Sequence, residues 1–293
     1  FNETISSGGR VGGYEQIADK LWRVDGAPSS DDFLDARQIY ATDEGLDSRV
    51  QRREDEHFPP VSDGMGGTLR CRDEGVPAMD PHRCVGPAKI LPVLNDAFMK
   101  GATGADPLVH AARVDAALTW FLYVSTHKEV ITCTNVKKDC DSSYAYYSGD
   151  RPRGEGIGLA KLYRDMVPEA HDAVWEGILA LRCWRDLDDG DEAMDLALRD
   201  QAAQLDRGLL FGLADQLLLE LRGGNKKPGH AVKDKQTQDD NTRPLPPVHR
   251  EINLRSLEVG IMPCPSLWKH DQCTLVNESN DAATIAKAAT PET

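Results

Sequence analysis

The sequence predicts a mainly α-helical bundle of about six helices, with disulfide-closed loops and a long irregular C-terminal arm. Three observations carry this prediction. Apolar residues recur at helical spacing over long stretches, while the two-residue alternation of strands is scarce. Six of the seven cysteines fall into sequence-local couples, Cys71/Cys84, Cys133/Cys140 and Cys264/Cys273, each bracketing a polar segment. From 223 onward the chain turns polar, with only scattered apolar residues.

A short helix is expected at 15–24. Ser29 and Ser30 offer capping hydroxyls for a longer helix over 31–57, with Phe33, Ala36, Ile39 and Tyr40 on one face. Gly45 is a point of break or bend inside it, and Pro59 and Pro60 end it. The stretch 59–86 holds Gly, Pro and the first cysteine couple and reads as an irregular excursion. A helix over 87–100 follows, with a kink at Pro92. Over 106–131 apolar residues such as Val114, Leu118, Phe121 and Leu122 nearly encircle the axis, which marks a central, buried helix. Its polar residues His110, Arg113, Asp115, Thr119 and Tyr123 then need partners. Arg113 is expected to pair with Asp115 or with a carboxylate of a neighbouring helix.

After the second cysteine couple, 142–158 reads as a loop rich in Tyr and Gly. Helices are expected again at 159–166, 169–187 and 192–222, the last stopped by Gly223 and Gly224. Residues 1–222 thus form the bundle domain and 223–293 an extended arm with its own disulfide-closed loop. Residues 223–250 have the composition of a linker, and apolar anchors return at Ile252, Leu254, Leu257 and Trp268.

Charge and cysteine use bound the function. Lys and Arg total 34 against 48 Asp and Glu, a net charge of −14. That disfavours nucleic acid and anionic membranes as partners, because both are held by clustered Lys and Arg. The longest apolar stretches, 116–124 and 209–221, fall short of the roughly 20 residues a spanning helix needs, so no membrane span is expected. Thiols that close polar surface loops suit disulfides. Six cysteines allow 15 pairings; the local pairing is preferred, with Cys183 left over as a small buried apolar residue. Together with a start at Phe1 in place of Met, the cysteines predict an oxidising location: periplasm, cell surface or secreted. The sequons at Asn2 and Asn277 carry little weight.

Each candidate for chemistry competes with a plainer reading. Glu54, Asp55, Glu56 and His57 contain one Glu-x-x-His, half of what a di-iron bundle uses. A site for a transition-metal ion, iron or similar, is therefore sketched from Glu54, His57, His110 and His171, against a solvated charged helix end. Asp115, His127, Glu129, Glu169 and Glu176 are further ionisable residues with inward potential. The acidic run 186–192 fails the spacing of a calcium loop and suits the N-terminus of the next helix. The glycines of 154–158 have no preceding strand and no P-loop lysine. No nucleophile elbow, zinc-peptidase or haem-attachment motif occurs. Tyr144, Tyr146 and Tyr147 are expected to form a recognition surface on their loop, with Trp268 as a further partner-binding aromatic; the alternative tucks Tyr146 or Tyr147 into the bundle.

With no catalytic motif above its plainer reading, the expectation is a non-enzymatic, extracytoplasmic binding or structural protein. It would be a subunit of a larger assembly, with a protein partner or a second copy of itself. The alternative is a metal-binding helical bundle, and a third reading has 142–158 as the lid of a solute-binding protein.

Overall fold

Helix α1 (Ile5–Leu21) starts well before the expected boundary at 15. Its first half is Gly- and Ser-rich, a composition with low intrinsic helix preference. Burial of Val11, Tyr14, Ile17 and Leu21 against α2 and α7 overrides that preference. Helix α2 (Ser30–Thr42) is capped as expected: the Ser29 hydroxyl accepts from Asp32 N at 3.2 Å, and Asp32 Oδ2 accepts from Ser29 N at 2.8 Å. The expected helix over 31–57 does not run through. Gly45 takes a left-handed conformation at φ 69°, which ends α2 and redirects the chain into the single turn α3 (Leu46–Val50). Beyond it, 51–58 is irregular.

The excursion 59–86 holds only the short helix α4 (Val76–Met79) and an isolated bridge between Ser62 and Thr68. The disulfide Cys71–Cys84 closes it. The kink expected near Pro92 is a π-helical turn, Gly86–Ile90, that hands over to α5 (Leu91–Ala102). Pro92 is the second residue of α5 and follows directly on that turn.

Helix α6 (Pro107–Cys133) is the buried axis, packed by α5, α7, α9 and α10. Asp115, Thr119 and Arg113 find partners within α6 and across its contacts. Tyr14 donates to Asp115 at 3.1 Å, Thr119 to Asp115 at 3.3 Å, and Arg113 to Asp96 of α5 at 2.6 Å. The Cys133–Cys140 disulfide pins the turn from α6 into α7 (Lys137–Ser148).

That helix replaces the first part of the expected loop, 142–148, while 149–158 stays irregular. Its Ser, Asp and Tyr residues are poor helix formers, yet their polar atoms are served locally. Ser143 donates to Cys140 O at 2.8 Å, Ser148 donates to Tyr144 O at 2.9 Å, and Asp141 pairs with Arg182. Consequently Tyr146 and Tyr147 are buried, not presented on a surface, and Tyr144 is half-buried between Phe1 and Trp175. Of the lid expected at 142–158, only 149–158 is irregular.

Helices α8 (Leu159–Met166), α9 (Pro168–Leu187) and α10 (Glu192–Gly223) follow close to their expected bounds and pack on one another. Cys183, expected to be an unpaired buried thiol, is disulfide-bonded as well.

The computed structural model describes residues 1–42, 45–188, 190 and 192–223. They hold ten helices and no strand, all within the compact unit Phe1–Lys226. The seven stretches expected to be helical become ten with the single turns α3 and α4 and with α7, whose second half falls in the expected loop. No helix among them is long and apolar enough to cross a membrane. The arm from 224 onward, with Cys264, Trp268 and Cys273, lies outside the described residues.

Candidate metal centre

The residues expected to form a metal site do not meet. Glu54 is held by Arg83 at 2.7 Å. His110 sits near the start of α6, its Nδ1 3.4 Å from Arg113; it lies seventeen residues from His127, roughly 25 Å along the axis. His171 lies on α9 against the Tyr147 hydroxyl at 3.0 Å. The Glu-x-x-His reading required a helix at 54–57 to bring both residues onto one face, and that segment is not helical.

His57 does join a cluster, with other partners. Asp55 and His57 come from the irregular segment after α3, Tyr123 and His127 from one face of α6 at a spacing of four, and Asp206 from α10. His57 lies between two carboxylates: its Nδ1 is 2.6 Å from Asp55 and its Nε2 is 3.0 Å from Asp206. Tyr123 donates to the other Asp206 oxygen at 3.1 Å, and His127 Nε2 is 3.7 Å from that oxygen. The two imidazoles stack face to face, centroids 3.9 Å apart and planes 6° apart. Asp55, His57 and His127 each offer one ligand atom, all within 4.8 Å of one another.

The segment is held in place from behind. Asp55 N donates to Arg83 O at 2.8 Å. The buried Arg83 guanidinium binds both Glu54 and Glu56 and donates to the carbonyls of Asp55 at 3.2 Å and Phe58 at 2.8 Å. Because Arg83 precedes Cys84, the Cys71–Cys84 bridge constrains the loop that carries this clamp.

Electrostatically the two histidines diverge. At His57, partial burial acts to lower the pKa, but hydrogen bonds from Asp206 and Asp55 outweigh it and raise the imidazolium above its ordinary value. At His127, burial dominates and keeps the ring neutral to lower pH than usual. Burial, then Asp206, raises the Tyr123 hydroxyl, so it stays protonated and serves as a donor. The cluster thus presents two acidic oxygens, a neutral buried imidazole and a histidine at which the carboxylates favour positive charge. That charge is a proton or, in its place, a metal ion. The Nδ1 of His127, with the residue 3% exposed, has no hydrogen-bond partner among the described residues.

Mixed nitrogen and oxygen donors suit zinc and its neighbours among divalent transition metals, not calcium or magnesium, which prefer all-oxygen shells. Separations up to 4.8 Å exceed the roughly 3.3 Å between ligand atoms around tetrahedral zinc, so binding would draw the side chains inward by about 1 Å. His57 is about one-third exposed and gives an ion a way in.

His171 has a different use. Burial, then Arg153, lowers its pKa. The unfolded chain takes up that proton near the ordinary value of about 6.5 and the folded chain only at lower pH. Stability from this residue is therefore full above that value and declines as pH falls below it. Urea midpoints between pH 7.5 and 5 are expected to fall more steeply in the natural chain than in His171→Gln; equal slopes would refute this.

In sum, fold and cluster define the class: a disulfide-stapled helical protein with a His/carboxylate cluster where the 51–58 segment, α6 and α10 meet. No family model, curated protein or solved structure matches the chain. The clue to His127 was in the sequence, since Tyr123 and His127 stand one helical turn apart on the central helix. Asp206 gave no sign, being one of many acidic residues on α10.

Proposed function

We propose that this chain is an extracytoplasmic binding protein whose ligand is a divalent transition-metal ion, held by Asp55, His57 and His127 with Asp206 as a fourth donor. One observation carries the reading: three ligand atoms from two elements lie within 4.8 Å, beside a buried His127 nitrogen that lacks a partner. Buried polar atoms are nearly always hydrogen-bonded, so a buried histidine with an unpartnered Nδ1 and its Nε2 3.7 Å from Asp206 suits a ligand. The oxidising location is supported by the disulfides Cys71–Cys84 and Cys133–Cys140. The partner-wrapping role expected of the arm rests on residues outside those described.

The test is calorimetric titration of tag-free protein with Zn²⁺, Ni²⁺ and Cu²⁺. One ion per chain is expected. His57→Ala and His127→Ala are each expected to weaken binding about 100-fold or more with the helical circular-dichroism signal intact. Affinity unchanged in both variants, or no saturable binding, would overturn the reading.

A further inference from the structure

We propose that Arg10, Arg49, Arg52 and Arg53, with the Tyr146 hydroxyl, form a second binding site, for a small multiply charged oxyanion of the phosphate class. This site is separate from the His57 cluster and does not depend on it. The side chains come from α1, α3, the segment that follows α3, and α7. Arg10 Nη1 donates to the Tyr146 oxygen at 3.0 Å and Arg53 Nη2 donates to it at 3.2 Å. Both guanidiniums also lie over aromatic rings: Arg53 over Phe121 and Tyr146, and Arg10 over Tyr146.

Hydrogen-bond accounting shows what is missing. A tyrosine oxygen has two lone pairs, and the two arginines use both. Among the described residues the Tyr146 hydrogen then finds no acceptor, and the buried Nε atoms of Arg10, Arg49 and Arg53 have none either. Arg10 is 5% and Arg53 3% exposed. The cluster has more donors than acceptors among the described residues.

Charge accounting agrees. Among the described residues the carboxylate that meets this cluster is Glu129, 3.7 Å from Arg53, and Lys128 shares it at 3.2 Å. Arg49 and Arg52 stand within four residues of Arg53 in the sequence, and partial burial, then Arg49, Arg10 and Arg53, lower the Arg52 guanidinium. Buried cations of one sign are costly without counter-charge. A tetrahedral oxyanion carries several acceptor oxygens and more than one charge, which suits forked guanidinium donors. Arg10, Arg53 and Tyr146 are buried, Arg49 is half-buried and Arg52 is exposed, so the set runs from the interior to the surface. The surrounding net charge of −14 repels extended polyanions, so the occupant is small.

The experiment titrates tag-free full-length protein with inorganic phosphate and pyrophosphate at constant ionic strength, by calorimetry and thermal midpoint. Parallel sedimentation uses phosphatidylglycerol vesicles. Saturable one-site binding is expected, weakened about tenfold or more in Arg52→Gln and in Tyr146→Phe. Arg52 is exposed, so Arg52→Gln is expected to keep the midpoint of the ligand-free protein. Binding to vesicles alone, lost in Arg52→Gln, would assign the phosphate to a lipid headgroup. Three results would overturn the proposal: no binding of either anion up to about 10 mM with no vesicle binding, undiminished affinity in both variants, or more than one site per chain.

Discussion

An alanine at Gly86 is expected to destabilise the fold by about 3 kcal/mol, at the upper end for an overpacked site. Its Cβ would overlap the carbonyl oxygen of Val50 and the backbone of Arg53. Backbone cannot rotate out of the way as a side chain can. Gly86 N also donates to Arg53 O at 3.0 Å, so the obstacle sits on the hydrogen bond that joins the π-helical turn to the segment leading to Asp55 and His57. Metal affinity is expected to fall with stability. The control is Gly12→Ala in α1, where an added Cβ meets nothing within 4 Å. There the gain in helix preference predicts a stabilisation of about 0.5–1 kcal/mol. Urea unfolding of both variants measures the contrast, and equal effects would show that the Gly86 approach is not tight.

The second large effect is expected at Arg83. Substitution by methionine keeps much of the volume but strands Glu54 and Glu56, along with the carbonyls of Asp55 and Phe58. Removing one partner of a fully buried pair costs about 3–5 kcal/mol. Glu54 and Glu56 are partly exposed and regain some hydration, so about 2–3 kcal/mol is expected here. Because Arg83 holds the backbone of Asp55 without contacting the candidate ligand atoms, Zn²⁺ affinity is expected to fall about 10- to 100-fold as well. Arg83→Lys is expected to recover little, since a single ammonium cannot span two carboxylates and two carbonyls. Metal affinity unchanged in Arg83→Met would detach the clamp from the site.

Legibility varied along the chain for identifiable reasons. The helices at 159–166, 169–187 and 192–222 were readable because apolar stripes and acidic or glycine boundaries mark them locally. Ser29 was readable because a cap is a three-residue pattern. The two described loop-closing disulfides were readable because loop polarity and short separation coincide. Helix α7 was not: Ser, Asp and Tyr carry weak helical preference, and only packing against α1, α6 and α9 makes that stretch helical. The candidate metal residues were half readable. His57 was singled out on a spacing that does not hold, and His127 was noted but not chosen.

Periodicity, caps, charge and the spacing of cysteines are properties of short stretches. From them alone came the helical class, the burial of α6, the absence of strand pattern and the two described loop-closing disulfides. The meeting of His57 with Asp206, 149 residues apart, is of another kind. So is that of Arg10 with Tyr146, 136 residues apart. Those distances follow from how several helix interfaces stack, and each interface is chosen by the shape of whole faces. A side chain on one element carries no local record of which face it will meet, so the candidate sites emerged only when the helices packed.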